Sequence, residues 1–146
     1  MKFKPKEYPV DVRVILGIYS IGFLIGTCTH VLGILHNGFL AVAKSAPLSL
    51  NIYWDSLALL DPLAALLIWI KPRLGLGLAI LIMFTDVIIN ACTYSVGYFG
   101  KPVAGMIPGF LFMQSLFATF IFATATVVLE KLQKAKVESL SDRRPQ

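Results

Sequence analysis

Two aspartates stand in the middle of apolar runs, Asp61 in the run that begins at Tyr53 and Asp86 in the run that ends near Tyr94. A carboxyl group at the centre of a membrane helix costs ~2.5–3.5 kcal/mol on the translocon scale. Such a group is a candidate for function: it can hold a cationic amine, the polar head of an amphiphile, or a proton. Three further strongly polar residues fall inside apolar runs: His30, Asn90 and Gln114. With the two acids they offer one site the means to accept and donate hydrogen bonds.

Other chemistries lack their residues. A metal centre needs several His or Cys ligands within reach. Here only His30 is inside a run; His36 lies at or beyond its edge. Cys28 and Cys92 are far apart and form no C-x-x-C pair, so both read as small buried hydrophobes. Ser95 and Ser115 could approach the depth of His30, but neither has a nucleophile motif around it. Gly75 and Gly77 follow no strand, which removes phosphate binding. No catalytic set, metal or cofactor is expected.

The elements that carry these residues are membrane spans. The chain of 146 residues is 57% hydrophobic and only 14% charged. Soluble domains average about 25% charged residues, and a chain this short cannot bury so much apolar surface in one soluble core. Its net charge of +5 comes from Lys and Arg at segment ends and in turns. Membrane topology accounts for that pattern, and nucleic acid is not expected.

We expect an all-α integral membrane protein of four transmembrane helices in an up-and-down bundle. A basic N-terminal segment, residues 1–13, precedes a run at 14–35 that is longer than a signal-peptide core. That run reads as the first span. The others are expected near 53–70, 74–96 and 107–129, within one domain at 14–129. The stretch 36–52 is mixed and has the apolar content for a short interfacial helix at Gly38 to Lys44. Lys71-Pro72-Arg73 makes a basic hairpin turn, 97–106 is a Gly/Pro loop, and 130–146 is a polar tail. Tyr53, Trp54, Trp69 and Tyr98 read as interface aromatics, and Asp55 as an ordinary solvated acid. If both termini share a side, that side holds 11 Lys/Arg and the other holds only Lys44 and Lys101. The positive-inside rule then makes both termini cytoplasmic, in a cell (inner or plasma) membrane.

Depth and periodicity bring the polar residues together. At 1.5 Å per residue, Asp86 falls near the midplane, Asp61 slightly outward, and His30, Asn90 and Gln114 in the outer half. The inner half has little that is comparable. Face by face, the stripes are Gly22, Gly26, His30 and Gly33; Trp54, Asp61, Ala65 and Ile68; Ala79, Met83, Asp86, Asn90, Thr93 and Gly97; and Gln114, Ala118, Phe122 and Ala125. Pro62 leaves the carbonyl of Ala58 without its helical donor, so a kink beside Asp61 is expected.

This plan of four spans with acids in the middle two is similar to the EXPERA domain of sterol isomerases and related amine-binding membrane proteins. The first span here departs from it, offering His30 and no acid, so no residue role is carried over.

The leading expectation is a non-enzymatic pocket, open outward, for an amphiphilic or cationic small molecule or a lipid. Asp86 is its main charge partner; Asp61, His30, Asn90 and Gln114 tune it, and Trp54 lines the mouth. A small proton-coupled carrier is the second reading, and four spans would then call for a homodimer. The third is a structural subunit or assembly factor, in which Asp86 and Asn90 fasten helices and Asp61 caps a helix broken at Pro62. The fourth is an intramembrane isomerase in which Asp86 and His30 shuttle a proton.

Overall fold

The computed structural model describes residues 8–100 and 107–141. Lys2, Lys4, Lys6, Lys101, Arg143 and Arg144, which enter the orientation count, lie outside the described residues, as does the second part of the 97–106 loop.

Four helices make up most of the described chain: α1 (Val10–Asn37), α2 (Leu48–Ile70), α3 (Pro72–Ser95) and α4 (Gly109–Ser141). Each is long and apolar enough to cross a membrane. The shortest, α2, has 23 residues, roughly 35 Å of helix against a ~30 Å hydrocarbon layer. Proline sets three of the starts. Pro9 and Pro47 cap α1 and α2, and Pro72 opens α3 at its first position, where a missing N–H costs nothing. Pro47 is why α2 begins at Leu48 rather than at residue 53.

The connections differ from the expected ones. Lys71 alone separates α2 from α3. Residues 38–47 contain turns and bends but no helix, so the interfacial helix expected at Gly38 to Lys44 is absent. Gly38 ends α1 at φ 96°, and Leu40 follows at φ 58°; both lie in the left-handed region that breaks a helix. The tail continues α4 to Ser141, because Glu130, Lys131, Leu132, Gln133 and Ala135 are good helix formers. Helix α2 runs unbroken through Pro62, so Asp61 caps no helix end.

Helix α1 touches α2 and α4, and α3 touches α2 and α4. Near the Lys71 connection (the turn end) the interior is apolar and closed: Leu16, Ile68, Leu76, Ala79, Ile121 and Val128 are fully buried. A Cβ on Gly75 would collide with the backbone of Leu67 and Ile68, so the absence of a side chain lets α2 and α3 meet there. The outward faces carry Ile21, Leu24 and Leu32 on α1, Leu59 and Leu66 on α2, Leu81 and Phe84 on α3, and Phe112 and Leu116 on α4, all exposed. Apolar faces of that extent suit hydrocarbon and not water.

Several side chains lie elsewhere than their sequence context implies. Cys28 and Cys92 are exposed on the helix surfaces rather than buried. Phe122 is also exposed; α4 packs through Ala118, Ile121, Ala125 and Val128. Steps of 3, 4 and 3 residues hold one face, whereas two successive steps of 4 drift off it. The turn-end half is not devoid of polar contacts either. Tyr19 Oη pairs with Thr124 Oγ1 at 2.5 Å, and the Trp69 indole N–H donates to Ser20 Oγ at 2.8 Å. Trp69 is thus an inter-helix tie as well as an aromatic near a helix end.

Candidate functional site

The loop-end half, toward residues 38–47 and 96–100, contains a cavity of about 610 Å³ between the four helices. Its polar lining is Asp61, Asp86, Asn90, His30, Gln114, Thr29 and the indole of Trp54. All six residues expected at a site from the sequence therefore line one space. Most of the remaining wall is apolar, including Phe23, Met83, Phe99, Phe110, Met113 and Phe117.

Helical register explains the convergence. Asp86 and Asn90 are one turn apart on the buried face of α3. Asn90 Nδ2 donates to Asp86 Oδ1 at 3.0 Å and to Gln114 Oε1 at 3.1 Å. Gln114 Nε2 donates to Asp86 Oδ2. The Trp54 indole N–H donates to Asn90 Oδ1 at 2.9 Å. The Asp86 carboxylate thus has a donor on each oxygen, and the Asn90 amide is engaged through both its nitrogen and its oxygen. Trp54 is only 2% exposed, which makes it an interior donor and not a surface anchor. Tyr53, likewise expected at the interface, pairs through its hydroxyl with Thr85 at 3.0 Å.

Asp61 is different. Its side chain is 6% exposed and lines the cavity, yet no group among the described residues donates a hydrogen bond to it. The basic group beside it is His30, whose Nε2 is 3.9 Å from Asp61 Oδ2, beyond hydrogen-bond length. A Cβ on Gly26 would overlap this carboxylate. Gly26, one turn before His30, is therefore the notch in α1 that admits it. Of the α1 stripe, Gly22 takes the ring of Phe117 in the same way, while Gly33 faces open space. The carboxylate opens on the cavity and is not sealed in packed protein, so a partner can reach it from that space.

Aromatic rings bound the cavity at both ends. Phe23 and Phe117 meet edge to face at 5.6 Å. At the loop end Phe99 joins Trp54 (5.1 Å) to Phe110 (5.9 Å). Apart from Trp54, these rings were not among the expected site residues. Phe110, Met113 and Phe117 flank Gln114 at helical spacing and could have been found from it; Phe99 sits in a loop with no periodic signal.

A second polar arrangement fixes the loop above the cavity. Asn51 Oδ1 accepts from Ala43 N at 3.0 Å, and Asn51 Nδ2 donates to Ala43 O at 3.1 Å and to Ala46 O at 3.4 Å. One turn on, Asp55 Oδ2 accepts from Leu40 N at 2.6 Å. Asp55 is 6% exposed, and its Oδ1 is buried with no hydrogen-bond partner. It is a structural acid and not a solvated one, because α2 starts early enough to carry it beneath the loop.

Among the described residues no cluster of three His, Cys, Asp or Glu side chains is arranged to hold a metal. Comparison with protein-family models, curated proteins and solved structures finds no match to this chain.

Proposed function

We propose that this chain is a multi-pass protein of the cell (inner or plasma) membrane, an up-and-down four-helix bundle with both termini cytoplasmic. Its function is to bind an amphiphilic or cationic small molecule or a lipid in the loop-end cavity. The observation that carries this reading is Asp61: a carboxylate inside an otherwise largely apolar cavity, buried, with no donor of its own. A ligand that brings a donor or a positive charge supplies what the fold omits. The satisfied Asp86, Asn90, Gln114 and Trp54 cluster forms the wall that holds the cavity open. Asp61, rather than Asp86, is then the main charge partner.

Binding fits better than transport. The turn-end half is filled by fully buried Leu16, Ile68, Leu76 and Val128, and its polar side chains Tyr19, Thr124, Trp69 and Ser20 are paired with one another. A structural-subunit reading draws on the same satisfied cluster, which ties α2, α3 and α4 together, but gives no role to Asp61.

The test is a thermal-shift screen of purified full-length protein against amphiphilic amines and single-chain lipids, with wild type and Asp61→Asn side by side. At least one compound should raise the Tm of wild type and leave the variant unmoved. Failure of every compound to separate the two proteins overturns the reading.

A further inference from the structure

Resting on that reading, we infer that the occupant is a single-chain primary amine amphiphile that enters sideways from the bilayer, between α1 and α4. The inference joins a gap between two helices to the geometry of two side chains.

The hydrogen bonds, ion pair and ring contacts between α1 and α4 among the described residues fall in one half of their length. Asp11 pairs with Lys131, Tyr19 with Thr124 and with the ring of Phe120, and Phe23 with Phe117. Beyond Phe23 and Phe117, toward the loop end, no hydrogen bond, ion pair or ring contact joins the two helices among the described residues. The cavity begins there. Ile25 and Thr29 on α1 and Phe110 and Met113 on α4 line it while being exposed on the outer surface. Ile25 is 60% exposed and Met113 64%, so the cavity wall and the lipid-facing surface are the same residues at this seam. Phe99, tilted against Trp54 and edge to face with Phe110, covers the loop end. The side opening is almost wholly apolar, as an alkyl chain requires.

The head group is set by His30 and Asp61. One nitrogen can sit about 2.9 Å from both His30 Nε2 and Asp61 Oδ2, at the apex of a triangle whose base is 3.9 Å. With the imidazole proton on Nδ1, His30 Nε2 accepts as the carboxylate does, and such a nitrogen then donates at least two hydrogen bonds. A primary ammonium has three donors and carries the complementary charge. A quaternary ammonium has none, and an alcohol has one and no charge. Gly22 and Gly26 are filled by the Phe117 ring and the Asp61 carboxylate, so the chain of the amine leaves between Ile25 and Met113.

The test uses the full chain in lipid nanodiscs with Trp69→Phe, which leaves Trp54 as the sole tryptophan, and with Cys28→Ala and Cys92→Ala. The probe is a long-chain primary alkylamine brominated a few carbons from the head group, read as quenching of Trp54. Saturable quenching should be lost in Asp61→Asn. The trimethylammonium analogue of equal chain length should bind about tenfold more weakly or worse, the loss expected for hydrogen bonds to a charged group. A bulky maleimide on Ile25→Cys should block quenching, and the same adduct on Leu24→Cys, exposed but outside the cavity, should not. Equal binding of the two amines overturns the head-group assignment, and unaltered binding with the Ile25→Cys adduct overturns the side opening. If the primary amine fails while another amphiphile gives an Asp61-dependent thermal shift, this inference falls and the binding reading stands.

Discussion

His30 and Asp61 face each other across 3.9 Å on neighbouring helices, too far apart to share a hydrogen bond and too close for a side chain to lie between them. Asp86, in the same cavity, has an amide donor on each oxygen. Two acids of one type in one apolar space therefore stand in opposite states of satisfaction, and this difference can be measured.

Asp86→Asn is expected to destabilise the fold. An amide at this position turns an NH2 toward a side-chain amide donor that has lost its acceptor, at a cost of about 1–3 kcal/mol. Asp61→Asn removes a charge with no donor and is expected to leave the Tm unchanged or raise it, as at sites held at a cost to stability. Thermal unfolding of the two variants in the same detergent checks both. The opposite order would make Asp61 the structural acid.

Trp54→Phe keeps the aromatic contact with Phe99 but strips the donor from Asn90 Oδ1. A loss of about 1 kcal/mol is expected, and Trp54→Phe with Asn90→Ala should lose less than the sum of the two single changes. A double-mutant cycle on thermal stability reads this coupling directly.

Gly75→Ala is expected to be among the most damaging single substitutions in the chain. The added methyl meets backbone, not a movable side chain, at Leu67 and Ile68. Overpacking of this kind costs about 1–3 kcal/mol or more. Gly77→Ala, two residues on and with open space around it, should be neutral or slightly stabilising. The difference in Tm between the two variants is the measurement.

Asn51→Ala removes all three side-chain hydrogen bonds that bracket Ala43 and Ala46. Lys44 lies inside this bracket and is exposed. Trypsin cleavage after Lys44 should be several-fold faster in the variant, because local opening of a loop is governed by the backbone bonds that hold it. An unchanged cleavage rate would show that Asp55 and Leu40 hold the loop by themselves.

Much of the site was legible before any coordinates. Asp61, Asp86, Asn90, His30, Gln114 and Trp54 are polar or aromatic positions in apolar runs, and depth along a helix can be counted from the run's edge. That count placed the five polar residues in one slab, with Trp54 expected at the interface and the mouth, and all six line one cavity. What could not be read is which donors go to which acceptor. Asp61 and Asp86 look alike in sequence; only the approach of Gln114 to one and the notch at Gly26 beside the other separates them. Asp55 was misread for a related reason. Its burial depends on α2 beginning at Leu48 and on Leu40 adopting a left-handed backbone, and neither follows from hydrophobic periodicity. The Phe122 face failed because two steps of four residues accumulate an angular error that a 3–4 alternation corrects.

The single residue between α2 and α3 has a consequence for how the chain assembles. With Lys71 as the whole connection, joining these helices closes almost no loop, and their mutual contacts come at the lowest entropic cost available in the chain. The pairs Tyr53 with Thr85 and Trp54 with Asn90 both lie within this hairpin, so much of its polarity is masked before α1 or α4 arrives. Asp86 waits for Gln114 of α4. Asp61 gains the notch at Gly26 of α1 and no donor among the described residues.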